Sequence, residues 1–301
     1  MKPLLTLFSA PKPFDREHIA LIQRNAIRSW LALGEKVEVL LLGAENGLAE
    51  VAAEMGVRHL PEVARNEQGT PLVSSIFALA RDAASAPYLC YVNADIILLP
   101  DFLEAVEAIL AQTPDDFLMV GRRWDVDITT PLETTEGWAQ RLRTFARANG
   151  RLHSSFGIDY FVFPKAAYAD MPPFAVGRAG WDNWMIYHAR KQGWKVIDAT
   201  QATTVIHQRH DYAHLPGGQP HYRLEESQEN IRLAGGRSHM FSILEANYTL
   251  SDGKVRRLHR PHIALLRSIE LGLQRRGYPT SRGGLALLRL SRRLQTHFRA
   301  T

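Results

Sequence analysis

Short apolar runs alternate along this chain with longer stretches in which apolar residues recur every three or four positions. That is the pattern of buried strands alternating with amphipathic helices. Residues 3–8 read as a first strand, followed by the loop Ser9-Ala10-Pro11-Lys12-Pro13-Phe14. Asp15 can then cap a helix with Ile19, Ile22, Ala26, Trp30 and Leu33 inward and Gly34 as its stop. Lys36 to Leu42 reads as a strand, Asn46 to Met55 as a helix ended by Gly56, and Val57 to Leu60 as a third strand. Thr70 and Pro71 open the next helix, with Leu72, Ile76, Leu79 and Ala83 inward. It leads into Tyr88-Leu89-Cys90-Tyr91-Val92, an aromatic and aliphatic run that stops abruptly at Asn93-Ala94-Asp95. Pro100, Asp101 and Glu104 then form a capping-box-like helix start.

Strand, helix, strand, repeated with crossovers of this length, implies parallel pairing and a doubly wound, mostly parallel α/β sheet. In such a sheet ligands bind in the crevice beyond the carboxyl ends of the strands, so Asp95 stands where chemistry is expected. The second half is less regular. Residues 117–120 read as a strand running into Gly121-Arg122-Arg123, 136–148 as a helix and 159–163 as a strand. A helix over 181–192 and short strands over 194–197 and 203–207 follow. The expected division is an α/β domain over 1–216 and a basic, mainly helical C-terminal extension over 217–301.

Charge sharpens that division. From residue 252 onward there are 12 Lys and Arg against Asp252 and Glu270, whereas the remainder holds 24 basic residues against 29 acidic ones. Basic amphipathic stretches over 263–275 and 285–298 suit an anionic membrane surface, which is preferred here over a solvated face or a nucleic-acid contact. Cys90 is the single cysteine and lies inside an apolar run, so it reads as core filler, excludes disulfides within the chain and favours a cytoplasmic setting. The first apolar run is too short for a signal peptide, and no stretch approaches the roughly 18 apolar residues of a membrane span. The expectation is a cytoplasmic protein, peripheral on the inner face of the membrane.

The order of a strand ending in a Pro-containing loop, a long helix, the Arg65-Asn66 loop, a further helix and Tyr88 to Asp95 resembles the GT-A nucleotide-sugar glycosyltransferases, particularly family 2, over roughly residues 3–212. In that family the same place holds an Asp-X-Asp motif that carries a divalent metal. Here Asn93 replaces the first acid and leaves Asp95 as the implied ligand. Gly180-Trp181-Asp182-Asn183-Trp184 and the helix behind it look like the family's acidic pair, of which only Asp182 transfers as catalytic base. His207, ending an apolar strand, fits the family's late metal-binding histidine. The resemblance implies a nucleotide-sugar donor, Mn²⁺ or Mg²⁺ as cofactor, and a glycan or lipid-linked acceptor.

Glycosyl transfer builds negative charge on a diphosphate leaving group, which a metal on Asp95 would stabilise, with Arg122 and Arg123 as a phosphate clamp. The acceptor hydroxyl needs a base; Asp182 in that role would give inversion, and Asp159 is the spare acid, read as a partner for a nearby base or acceptor ahead of a base itself. Phe8, Ala10, Pro11, Asn66 and Asn93 are the expected donor-side residues, and Trp124, Trp181 and Trp184 offer flat faces for a sugar. Asp125-Val126-Asp127 is literally Asp-X-Asp but follows a later strand, and reads as a solvated loop. A zinc site from His207, His210, Asp211 and His214 is set aside, because their spacing suits a helix and Pro216-Gly217-Gly218 argues for a loop. A nucleotidyltransferase would need a glycine-rich, Arg-containing loop after the first strand, and a dinucleotide oxidoreductase a G-x-G-x-x-G there; the chain has neither. A non-catalytic nucleotide-sugar- or carbohydrate-binding protein on the same fold is the rival that Asn93 leaves open.

Overall fold

Three of the first four strands, β1 (Leu5–Ser9), β2 (Val37–Leu42) and β4 (Tyr88–Val92), are largely buried on both faces and lie inside a sheet, whereas the more exposed β3 (Arg58–Leu60) forms its rim. β1 lies between β2 and β4, and β3 extends β2, all in parallel. In this computed structural model, which describes residues 2–210 and 224–260 and a few positions between 265 and 272, the sheet runs β13-β12-β10-β6-β9-β4-β1-β2-β3. The other members are β6 (Phe117–Val120), β9 (Tyr160–Pro164), β10 (Lys195–Asp198), β12 (Tyr248–Ser251) and β13 (Lys254–Arg257).

Side-chain alternation along β1 divides the core in two. Leu5 and Leu7 face α1 (Glu17–Leu31), α2 (Leu48–Met55) and α4 (Pro100–Leu110), where Trp30, Val51 and Phe102 are buried. Phe8 faces α3 (Val73–Ala83) and α6 (Trp181–Lys191), in a cluster with Phe77, Tyr91, Phe163 and Trp181. Phe77 stacks on Phe163 with ring centroids 5.6 Å apart, and Tyr91 meets Trp181 edge-on at 4.9 Å. Aromatic pairs of this kind each add about 1 kcal/mol beyond their area burial.

A second sheet, β5-β11-β7-β8, is made of β5 (Ile96–Leu98), β11 (Val205–Gln208), β7 (Trp124–Val126) and β8 (Arg151–Leu152). With α5 (Trp138–Asn149) it encloses a third small core around Ile97, Val126 and Ile206. The strands β5, β7 and β8 were not legible in the sequence, because runs of two or three residues carry no periodicity.

Three local expectations are corrected. Asp15 is not the cap of α1, which starts after Arg16; its carboxylate instead accepts a hydrogen bond from Asn46. α3 starts after Leu72, and Thr70 donates its backbone N–H to Asn66 Oδ1 at 2.8 Å. Pro100 opens α4, but Asp101 lies within its first turn and accepts from Thr204 N and Arg143, both at 3.1 Å, so no capping box forms. β9 runs antiparallel to both β4 and β6, in a sheet that is otherwise mostly parallel.

The division after residue 216 also meets a finding. α7 (Glu225–Leu233), β12 and β13, all beyond it, belong to the main fold: β12 pairs in parallel with β10, and Ala234, Ile243 and Leu250 are buried in the two large cores. The expected basic helices over 263–275 and 285–298 lie outside the continuously described residues.

Candidate functional site

The carboxyl ends of β1, β2, β4 and β6 open on one edge of the sheet. Because β9 runs the other way, its amino end reaches that same edge. Its register sets Tyr160 opposite Val92, so Asp159 stands beside Asn93. Asn93 donates its backbone N–H to Asp159 O at 2.9 Å and its side-chain amide to Asp159 Oδ1 at 2.8 Å. Arg123, carried past the end of β6, closes an ion pair on the other carboxylate oxygen. Asp159 is therefore buried and fully engaged, held as a partner of Arg123 and Asn93.

The short sheet delivers the next group. β11 pairs with β5 so that His207 faces Ile96, and with β7 so that His207 faces Asp125. This brings Asp95, His207 and His210 together, with one ligand atom from each lying within 4.8 Å of the others. Asp95 Oδ2 is 2.9 Å from His210 Nε2 and 3.7 Å from His207 Nε2. Its Oδ1 is buried and has no hydrogen-bond partner among the described residues. Burial alone would raise the Asp95 pKa, but His207, His210 and Lys12 outweigh it and hold the carboxyl well below the ordinary range. Asp211 and His214 of the sequence cluster lie outside the described residues.

A cleft of about 580 Å³ joins these groups to Asp182. Asp182 is the second residue of α6, and the turn before it is made by Gly180, whose φ of 113° is accessible to glycine and strained for other residues. Gly180 N–H donates to Asp182 Oδ1 at 3.3 Å. Asp182 is pushed up to about 6, mainly by burial, with the charge of Asp159 adding to it and backbone N–H groups opposing.

Ala10, Pro11, Asn93, Asp95, Arg123, Asp159, Asp182 and His207 all line the cleft. Three expected residues do not. Phe8 is a fully buried core side chain. Asn66 organises its own loop, accepting from Gln68 and Thr70 and donating to Glu226 Oε1 at 2.8 Å. Arg122 turns away and donates through Nε to His153 O at 2.6 Å, so it is a structural tie rather than half of a phosphate clamp. Arg123 lines the cleft with its guanidinium shared between Asp159 and Asp125. Of the tryptophans only Trp181 borders the cleft; Trp184 is core and Trp124 packs in the small sheet.

Asp125 corrects the solvated-loop reading of its motif. It is largely buried, and its carboxylate takes His153 Nδ1 at 2.6 Å and Arg123 Nε at 3.1 Å, with His207 Nδ1 at 3.2 Å. His153, Arg65 and Arg178 also line the cleft and were not singled out from sequence. Arg65 pairs with Glu45 at 2.7 Å and Arg178 with Glu226 at 2.6 Å, partners 20 and 48 residues away that no local pattern ties to them.

No protein-family model matches the chain, and no curated protein matches it in sequence. Solved structures do. S. aureus TarS residues 1–349 in complex with UDP-GlcNAc superposes with a TM-score of 0.52 at 10% identity, covering 96% of this chain and 79% of that one. S. aureus TarS itself gives 0.51 at 11% identity, over 93% of this chain and 44% of that one. Glucosyl-3-phosphoglycerate synthase from Mycobacterium tuberculosis, in complex with Mg²⁺ and UDP, gives 0.48 at 15% identity, over 78% and 80%. The fold is the GT-A type that the sequence resemblance implies.

Proposed function

We propose that this chain is a metal-dependent glycosyltransferase that moves a sugar from a nucleoside-diphosphate donor to an acceptor hydroxyl. The observation that carries the reading is the meeting, in one cleft at the carboxyl edge of the sheet, of the Asp95, His207 and His210 trio with an acid whose pKa is raised, Asp182. The likeness to a fold that holds UDP-GlcNAc in TarS supports a nucleotide sugar as donor.

The residues present fit a divalent cation. A buried carboxylate oxygen without a partner, beside two imidazoles, is a ready donor set. Two nitrogens and a carboxylate favour Mn²⁺ over Mg²⁺, which keeps oxygen ligands. Asp95, His207 and His210 would hold the ion, which when bound supplies Lewis-acid stabilisation of the diphosphate leaving group. Asp182, in its ionised form, takes the proton of the acceptor hydroxyl as the new bond forms, and direct displacement inverts the anomeric centre. Asp159, tied to Arg123 and Asn93, keeps a fixed negative charge near Asp182 and so makes it a stronger base. Ala10 and Pro11 border the donor side of the cleft.

The acceptor we propose is a glycan or lipid-linked glycan, with the basic C-terminal segment resting on an anionic membrane surface. Among the described residues no helix is long and apolar enough to cross a membrane.

Calorimetric titration of a nucleotide-sugar panel, with and without Mn²⁺, tests the reading in wild type and Asp95→Ala. We expect Mn²⁺-dependent binding of one donor, lost in Asp95→Ala. Absence of binding to every donor under every metal condition overturns it. Slow donor hydrolysis that disappears in Asp182→Asn while binding persists separates an enzyme from a binding protein.

A further inference from the structure

The two acids of Asp125-Val126-Asp127 have opposite surroundings. Asp127 is exposed and pairs with Arg209 at 3.1 Å on the surface. Asp125 lies behind the cleft wall, with only 17% of its side chain exposed. Its two oxygens are divided among three elements: Oδ2 takes His153 Nδ1 at 2.6 Å, while Oδ1 takes Arg123 Nε at 3.1 Å and faces His207 Nδ1 at 3.2 Å. Held by His153 and Arg123, the carboxylate cannot rotate away from His207.

His207 is thereby set between two carboxylates. Nδ1 faces Asp125, and Nε2 faces Asp95 Oδ2 at 3.7 Å. A neutral imidazole carries one N–H, and which nitrogen holds it is decided by the partner of the other. A proton on Nε2 would point at Asp95, and the ring would have no lone pair to give a cation there. A proton on Nδ1 lies on the Asp125 side, 3.2 Å from Oδ1 in a contact not aligned here as a hydrogen bond, and leaves the Nε2 lone pair on the Asp95 side. Asp95 Oδ2 already lies at hydrogen-bond distance from His210 Nε2, 2.9 Å away, which makes it the weaker competitor for the His207 proton.

We infer that Asp125 is a positioning residue of the metal site, fixing the tautomer and orientation of His207 so that Nε2 is the ligand atom. The inference rests on the proposed metal-dependent reading and adds to it a residue outside the cation's own ligand set. Carboxylates that hold metal-binding histidines this way change metal affinity by about 10–100-fold when removed.

The measurement is Mn²⁺ affinity by calorimetry or electron paramagnetic resonance in wild type, Asp125→Ala and the surface control Asp127→Ala. Long-range ¹H–¹⁵N correlation spectra of His207 without metal, at about pH 8, accompany it. Alanine removes the acceptor beside His207 Nδ1, whereas an amide would keep its oxygen toward Arg123 Nε, which can only donate, and so toward His207 as well. We expect Mn²⁺ binding about 10–100-fold weaker in Asp125→Ala, unchanged in Asp127→Ala, and a wild-type His207 protonated at Nδ1. Wild type binding Mn²⁺ with Asp125→Ala within twofold of it overturns the inference alone. So does a wild-type His207 protonated at Nε2, a result that needs no variant to fold. Wild type that binds no Mn²⁺ overturns the metal reading and this inference with it.

Discussion

Asp182 holds its proton more tightly than an exposed carboxylic acid, first because burial penalises its charge and then because Asp159 is a second negative charge nearby. Its folded value of about 6 lies above the ordinary carboxylate value near 4, so the folded chain binds this proton better than the unfolded one. The associated stability is fully present below pH ~4 and is lost as pH rises through about 6. Asp182→Asn should therefore be more stable than wild type at pH 7, by on the order of 1–2 kcal/mol, in chemical denaturation. The same variant should lose about 10²–10⁴-fold in turnover, and the rise of wild-type kcat/KM with pH near 6 should vanish with it. A variant that loses both stability and turnover would mean a structural role for Asp182. At this scale Asp95 and His207 could be singled out because each stands at the end of an apolar strand, and Asp182 only through the family resemblance. The engagement of Asp159 and Asp125 was not legible, since it depends on which strand lies beside which.

Elements place these residues through a few clamps. α7 reaches across the loop before α6: Asn230, 1% exposed, accepts from Ala175 N at 2.8 Å and donates to Ala175 O at 3.0 Å. Asn230→Ala would leave both backbone groups buried and unpaired, and should cost roughly 2–3 kcal/mol, read from the urea midpoint. Gly180 is the second clamp. A Cβ there would sit 3.4 Å from Met240 Sδ, so its conformation rather than space is the main constraint. Gly180→Ala should destabilise by about 1–2 kcal/mol, and steady-state kinetics should show kcat falling while donor affinity stays within about twofold, because only the Asp182 turn moves. A large loss of donor affinity would instead place this turn on the donor side. Helix existence here follows from apolar spacing, whereas the clamp of Asn230 on Ala175 spans 55 residues and leaves no local trace.

For the whole molecule, the described fold runs past the division expected after residue 216. Truncation after residue 216 removes β12 and β13 and the buried Ile243 and Leu250, so it should yield insoluble or unfolded chain. Truncation after residue 260 retains every strand of the main sheet and should remain folded by circular dichroism, with its thermal transition intact. That shorter chain is the one for testing the proposed membrane contact by co-sedimentation with anionic vesicles. Loss of binding relative to the full chain supports the basic segment as the anchor, and unchanged partitioning removes the idea.

The sequence by itself determined the α/β alternation, the first parallel strands, their carboxyl-edge acid Asp95 and the helix that presents Asp182, because these are written in local periodicity and chain stops. Only the tertiary structure decided how the edge is furnished. The reversal of β9 puts Asp159 against Asn93 and Arg123, and the two-sided pairing of β11 carries His207 between Asp95 and Asp125. Packing of α7 and β12 onto the same sheet makes residues beyond 216 part of the fold. Strand order and register are set by which apolar faces can be buried together across long separations, and that information is distributed over the chain rather than carried at any one position.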